Sequence, residues 1–186
     1  MNGLPEGEKA IGPRWLLSYK YDKVGNSTKT KARLVAKGFM QREGVNFNQT
    51  TAPTPAAAFV KTVSAVANQM GLTIYHLDVK QAYTTARLDS KIVMKLLGGC
   101  GELSGKYVDL EKALYGLKQS GLLWNDLLVE TLVTVHGTEH CMTDPCVFRL
   151  TREGEVVMIL TVHLDDVAVA VTGVEVDNAQ HILYDE

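Results

Sequence analysis

The stretch Val156–Val171, VVMILTVHLDDVAVAV, constrains this chain more than any other. Two strand-length apolar runs rich in β-branched residues meet there, with almost nothing between them but Asp165, Asp166 and their neighbours. Such runs predict two β-strands, and the missing spacer predicts a hairpin with a very tight turn. Hairpin turns favour Asn-Gly or Asp-Gly, where positive φ costs little. Asp-Asp is a poorer turn former, so turn chemistry alone does not account for the pair. Two carboxylates at the tip of a rigid hairpin are a platform for a hard divalent cation such as Mg²⁺. An ordinary exposed turn stays open as the other reading of this stretch.

The charge pattern adds a second constraint. The 186 residues suit one domain, or one domain with a small appendage, and the net charge of −2 names no partner. The distribution is uneven, however. Between Arg14 and Arg42 lie eight basic residues (14, 20, 23, 29, 31, 33, 37 and 42) and one acid, Asp22. From Thr151 to Glu186 there are eight acids and one base, Arg152. A basic lobe and an acidic lobe suit a polyanion held against a carboxylate–metal centre, although two solvated faces of opposite sign share the pattern. Three cysteines (100, 141 and 146) are too few for a disulfide framework and favour a reducing compartment. The spacing of His136, His140, Cys141 and Cys146 fits no usual structural zinc site, and Cys146 is expected to be small and buried. The first ten residues have no apolar core, so no signal peptide is expected, and no apolar run is long enough to span a membrane.

Taken in order, residues 1–13 are expected to be irregular. Trp15–Tyr21 and Thr28–Val35 read as strands joined by a turn at Asp22–Asn26. Lys29, Lys31 and Arg33 fall at period two on the return strand, so they share one face. That row could grip phosphates, or simply solvate an edge strand. Thr54-Pro55 predicts a helix start, and Val60, Val63, Ala67 and Met70 its buried stripe, with Gly71 as its stop. Thr73–Val79 is the next strand, with Asp78 at its end and Tyr83 five residues on. Ile92–Leu97 predicts a short strand. Residues 122–136 predict a long helix with Leu123, Trp124, Leu127, Leu128, Leu132 and Val135 on its buried face. Lys118 and Gln119, just before that helix, are suited to meet an anion or a base edge. Cys146–Leu150 is a further strand before the central hairpin, and residues 175–186 begin an amphipathic tail.

If the strand ending in Asp78 lies beside the Asp165–Asp166 hairpin in one antiparallel sheet, three carboxylates converge. Two Mg²⁺ ions about 3.5–4 Å apart need such a set, and phosphoryl transfer uses it. The motif order KARLVAKGFMQREGVNF (31–47), HLDVKQAY (76–83), KALYGLKQS (112–120), TDPCVF (143–148) and VHLDDVAVA (162–170) resembles the reverse transcriptase of copia-type long-terminal-repeat retrotransposons over most of the chain.

The resemblance implies an α+β fold: an antiparallel palm sheet backed by helices, with a small β-rich fingers subdomain. Residues 14–72 would be fingers-like, 73–174 the palm with its catalytic hairpin, and 175–186 a truncated tail. It implies Asp78, Asp165 and Asp166 as catalytic, metal-binding aspartates for two Mg²⁺ ions, with Mn²⁺ as a substitute. Lys31, Arg33, Tyr83, Tyr115 and Gly116 would meet the deoxynucleoside triphosphate, with Tyr83 excluding a 2′-hydroxyl. Lys118, Gln119 and His163 would meet template or primer. The partners implied are an RNA or DNA template with its primer, deoxynucleoside triphosphates and the remainder of a retrotransposon polyprotein. No membrane partner is expected, and the location expected is cytoplasmic, within a virus-like particle for a live element. The chain departs from the family pattern at His163-Leu164, where Tyr and a small residue usually precede the two Asp. It departs again at Gly121-Leu122, where Pro and Arg are usual. No primer grip, thumb or ribonuclease H is recognisable after the hairpin, which predicts weak or no activity for this chain alone. A non-catalytic nucleic-acid-binding remnant is the alternative.

Overall fold

The alternation in the sequence builds the strands, and the strands set everything else. A computed structural model of the chain describes residues 3, 4 and 7–173, and the counts and absences below refer to these. The tail expected over 175–186 lies outside them. In order, the elements are β1 (Pro13–Tyr21), β2 (Ser27–Ala36), α1 (Ala57–Gln69), β3 (Thr73–Asp78), β4 (Val93–Lys95), β5 (Tyr107–Asp109), α2 (Ser120–Glu130), β6 (Glu139–His140), β7 (Val147–Arg152), β8 (Glu155–His163) and β9 (Asp166–Val171). The chain is mixed α/β and mostly strand. It divides into two compact units, each discontinuous in sequence: Met1–Thr50 with Tyr83–Leu123, and Thr51–Ala82 with Trp124–Glu186.

The second unit is built on a five-stranded antiparallel sheet in the order β3-β9-β8-β7-β6. Its register makes the two faces chemically different. One face carries the rows Leu77–Val167–Val162, Tyr75–Val169–Leu160–Phe148 and Thr73–Val171–Met158–Leu150. The β7, β8 and β9 members of these rows are buried, each contributing roughly 1.5–3 kcal/mol where large and apolar. The opposite face carries Asp78–Asp166–His163, His76–Ala168–Thr161–Val147 and Ile74–Ala170–Ile159–Arg149. Because side chains alternate along a strand, the apolar rows anchor the sheet while the polar row is carried at its end.

α1 packs on β3, β8 and β9, where Ala67 and Leu72 meet Ala170 and Ile159. It does not start as expected at Thr54-Pro55. Ala56 occupies the cap position with no side-chain cap bond, and its N–H donates to Asp144 Oδ2 at 3.2 Å. Asp144 Oδ1 also accepts the N–H of Cys146 at 2.9 Å, so this buried carboxylate ties the helix start to the entry of β7. The expected core stripe is only partly buried. Ala67 is fully enclosed, whereas Val60 and Met70 are exposed, and Val63 and Met70 line an open apolar cavity of about 370 Å³. The small Ala67 makes the close approach, and the larger residues overhang.

Trp124, Leu128 and Leu132, spaced four apart, are the buried hydrophobic positions of the long helix, while Val135 is 71% exposed, contrary to expectation. Beyond α2 the helix widens into a π turn over Thr131–Val135, then stops at Gly137 with φ +67°. Thr131 and Thr134 donate their hydroxyls to carbonyls four residues back, a bond that competes with the regular ladder.

The first unit holds the β1–β2 hairpin and a small β4–β5 ladder over a core of Ile11, Ala36, Ile92, Met94 and Leu117. The β1–β2 turn is closed by Asp22, whose carboxylate accepts the N–H groups of Val24 and Asn26, both at 2.9 Å. Those bonds, led by the one from Asn26, hold its pKa below the ordinary carboxylate value.

Candidate functional site

The second unit brings two of the expected acids directly together. Asp78, the last residue of β3, pairs with Asp166, the first residue of β9, across adjacent antiparallel strands. Directly opposed residues present their side chains on the same face. Asp166 is also opposite His163, the last residue of β8. Asp165 lies in the turn, and its carbonyl accepts the N–H of Val79 at 3.0 Å, which carries the pairing one step past Asp78. The turn itself is Leu164-Asp165 rather than Asp-Asp, and its positive φ (+57°) falls on Leu164. Trp124 Nε1 donates to the Leu164 carbonyl at 2.9 Å and holds that peptide in place. His76, on the same face, approaches Asp166 at 3.4 Å; both are well exposed, so the contact contributes little even when the imidazole is charged.

Among the described residues, no three His, Cys, Asp or Glu side chains form a closed metal-binding group. The register sets Asp78 and Asp166 side by side, with Asp165 on the adjoining turn. All three donors are hard oxygens, the type that Mg²⁺ takes. None of them is buried, so like-charge repulsion is screened by solvent. The donor chemistry therefore fits a hard cation.

The first unit carries the other expected residues. The β1–β2 register puts Lys31 opposite Ser18, Arg33 opposite Leu16 and Lys29 opposite Lys20. The basic row therefore lies on one face, as the period-two spacing implied. Like charges directly opposite one another, as in Lys20 and Lys29, destabilise a bare hairpin and favour a bound anion. The other face is apolar and aromatic, with Leu17, Tyr19 and Tyr21 about 60% exposed. Tyr83 and Tyr115 stack at a tilt with ring centroids 4.8 Å apart, and the Arg33 guanidinium stands 5.8 Å over Tyr115. The three thus form one cation–aromatic cluster. Lys118 is exposed, its ammonium 4.6 Å from the Phe47 ring centroid.

A family model described as reverse transcriptase (RNA-dependent DNA polymerase) matches residues 1–182. The chain belongs to the reverse transcriptase family. It is 33% identical over 167 residues to the retrovirus-related Pol polyprotein from transposon RE1 of Arabidopsis thaliana, a match covering 89% of this chain and 11% of that protein. It is 30% identical over 169 residues to the Pol polyprotein from transposon TNT 1-94 of Nicotiana tabacum, covering 89% of this chain and 13% of the relative. A yeast Ty1-DR4 Gag-Pol polyprotein matches at 28% over 143 residues, 76% of this chain and 9% of that protein. The chain therefore spans about a tenth of the length of these relatives. It is a copia-type reverse transcriptase domain of the kind found in retrotransposon Pol polyproteins.

Gln119 departs from its expected place within this reverse transcriptase domain. It is fully buried, its side chain spent on Gln41 and Asn46, and so offers no edge to a template. Gly116 is equally constrained: at φ +90°, a Cβ there would lie 2.3 Å from the Ala36 carbonyl oxygen. Its role is a close backbone approach. Gln41, by contrast, carried no signal in the sequence. A lone glutamine in a loop is ordinarily solvated, and only the fold reveals its buried partner.

Proposed function

We propose that this domain adds deoxynucleotides to a primer 3′-hydroxyl under the direction of a template, releasing pyrophosphate. In this reading the five-stranded sheet is the palm, and the β1–β2 hairpin belongs to the fingers. The observation that carries the proposal is the register of Asp78 opposite Asp166, with Asp165 on the intervening turn. That arrangement joins two distant motifs on one exposed strand end, within a chain of reverse transcriptase lineage.

Asp78, Asp165 and Asp166 would hold two Mg²⁺ ions, which when bound supply a more acidic 3′-hydroxyl and a counter-charge for the triphosphate. The rest is the work of the chain's own groups. Lys31 and Arg33 supply positive charge for the triphosphate, with Arg33 held over Tyr115. Tyr83, stacked on Tyr115, presents a fixed aromatic edge against the sugar, where a 2′-hydroxyl would clash. His163, opposite Asp166, is suited to the primer end. Lys118 supplies a cation for the template backbone. Because the relatives are longer Pol polyproteins, the physiological setting proposed is a larger polyprotein in the cytoplasm.

Primer extension on an RNA template with Mg²⁺ tests the proposal. The expected result is synthesis by the native chain that falls more than about a hundredfold in Asp165→Asn and Asp78→Asn, since each removes a direct metal ligand. Extension insensitive to both substitutions would sink the assignment. Salt-sensitive duplex binding with no extension would favour the non-catalytic nucleic-acid-binding reading.

A further inference from the structure

We infer that Gln41 and Gln119 are positioning residues that fix Lys118 for a phosphate of bound nucleic acid; this rests on the nucleic-acid-binding reading above. Both side chains are buried, Gln119 completely and Gln41 to 5% exposure. A buried amide is costly unless its polar atoms are bonded. Here the bonds form a relay with one sense. The Lys118 N–H donates to Gln41 Oε1 at 2.7 Å, and Gln41 Nε2 donates to Gln119 Oε1 at 2.8 Å. Gln119 Nε2 then donates to the Asn46 carbonyl at 2.7 Å, with Ser90 Oγ at 3.4 Å. The first group can only donate and the last can only accept, so the orientation of both amides is fixed.

The relay begins on Lys118 and ends beside the ring that lies under its ammonium. Its first donor is the main chain of Lys118, and its last acceptor belongs to Asn46, the neighbour of Phe47. The Lys118 ammonium stands over that same Phe47 ring, and the ring is itself buried. One loop thus pins the backbone and the cation of one residue. Close backbone contacts hold the two segments together. The Ala36 N–H donates to the Tyr115 carbonyl at 2.8 Å, and a Cβ on Gly38 would lie 2.1 Å from the Gly116 carbonyl oxygen. Preorganising a flexible lysine lowers the entropy lost when it meets its anion.

The test is a titration of fluorescent primer–template by the 186-residue chain over a range of salt concentrations. Lys118→Ala is expected to weaken binding by roughly three- to tenfold and to lower the log–log salt slope by about one, the signature of one lost phosphate contact. Gln41→Met keeps volume but breaks both bonds, and is expected to reproduce that slope. The double variant is expected to lose nothing more, because the two act through one contact. Gln41→Glu keeps the oxygen that accepts from Lys118, and is expected to retain more binding than Gln41→Met. A wild-type slope in folded Gln41→Met, equal effects of Met and Glu, or additivity in the double variant would each overturn the inference. Should Gln41→Met fail to fold, exchange of the Lys118 amide in the native chain decides. Strong protection supports the relay, and free exchange overturns it. A native chain that binds no primer–template would defeat the polymerase reading and this inference together. A native chain that binds, with indifferent Gln41 variants, defeats only the inference.

Discussion

The two units position their chemistry by different means. In the second, Asp78 and Asp166 are brought together by strand register, so the backbone ladder and the apolar rows beneath it do the positioning. In the first, Lys118 and Tyr115 are held by side-chain amides and by glycines that allow two backbones to touch. A register is set by many small contributions and tolerates a change at any one of them. A buried amide relay depends on a few bonds, each costly to lose. The sheet should therefore absorb substitutions near its acids, whereas the loop clamp should fail at single positions.

The strongest way to break this contrast is Gly116→Ala. A Cβ at φ +90° is strained in itself, and its nearest neighbour is the Ala36 carbonyl oxygen, a backbone atom that cannot swing aside. A loss of about 3 kcal/mol or more is expected from urea unfolding, alongside weaker primer–template binding. A loss below about 1 kcal/mol would show that the two segments can separate without cost, and that the clamp is loose.

The cysteines test the closure of the sheet unit. Cys146, just before β7, is buried, and its thiol is pushed up to about 11, first by burial and then by the Asp144 carboxylate. Cys141 is accessible, and its pKa is lowered from 9.0, chiefly by the side-chain bond to Thr143. At pH 8 the thiolate fraction at Cys141 exceeds that at Cys146, and alkylation rate follows thiolate. Mass spectrometry after brief iodoacetamide treatment is expected to find Cys141 modified and Cys146 intact. As pH rises towards 11, the thiolate difference shrinks. Prompt modification of Cys146 at pH 8 would show that the β7 entry opens readily.

What was legible in the sequence follows the same division. The Val156–Val171 hairpin follows from two apolar, β-branched runs with almost nothing between them, the strand ending at Asp78 from a short stretch of the same kind, and the common face of Lys29, Lys31 and Arg33 from period-two spacing, all of them local signals. β6 was not legible, because two residues carry no period and its pairing with β7 supplies the strand. The start of α1 escaped because Asp144 serves Ala56 from far along the chain and outweighs a favourable Thr-Pro pair. Gln119 looked like a surface contact because glutamine in a loop is usually wet; its burial depends on Gln41, which has no pattern of its own. Carboxylates set by register could be read from the sequence, and amides set by tertiary partners could not.

A smaller effect probes the link between α2 and the turn. Trp124→Phe keeps most of the buried ring but removes the donor to the Leu164 carbonyl. A cost of about 1 kcal/mol is expected for the unsatisfied acceptor. If register alone positions the acids, extension should fall only modestly, in step with the fraction folded. A collapse of extension at full folding would mean that the indole, rather than the ladder, holds Asp165, and the contrast between the units would narrow.

The smallest effect is the most specific. Leu164 is the first central residue of a two-residue turn and carries φ +57°, where such hairpins prefer glycine. A left-handed conformation costs a leucine about 1 kcal/mol, so Leu164→Gly relieves strain while giving back part of the gain as unfolded-state entropy. A net stabilisation of about 0.5 kcal/mol is expected in urea unfolding. Strain retained beside reacting groups is a sign of use, since the fold could have avoided it. The leucine side chain is half-buried at the tip that carries Asp165, and glycine would let that tip move. Leu164→Gly should therefore be slightly more stable and measurably slower in primer extension. Equal or faster extension would mean that the strain positions nothing and that the ladder alone orders the acids. A destabilisation above about 1 kcal/mol would instead assign Leu164 to packing.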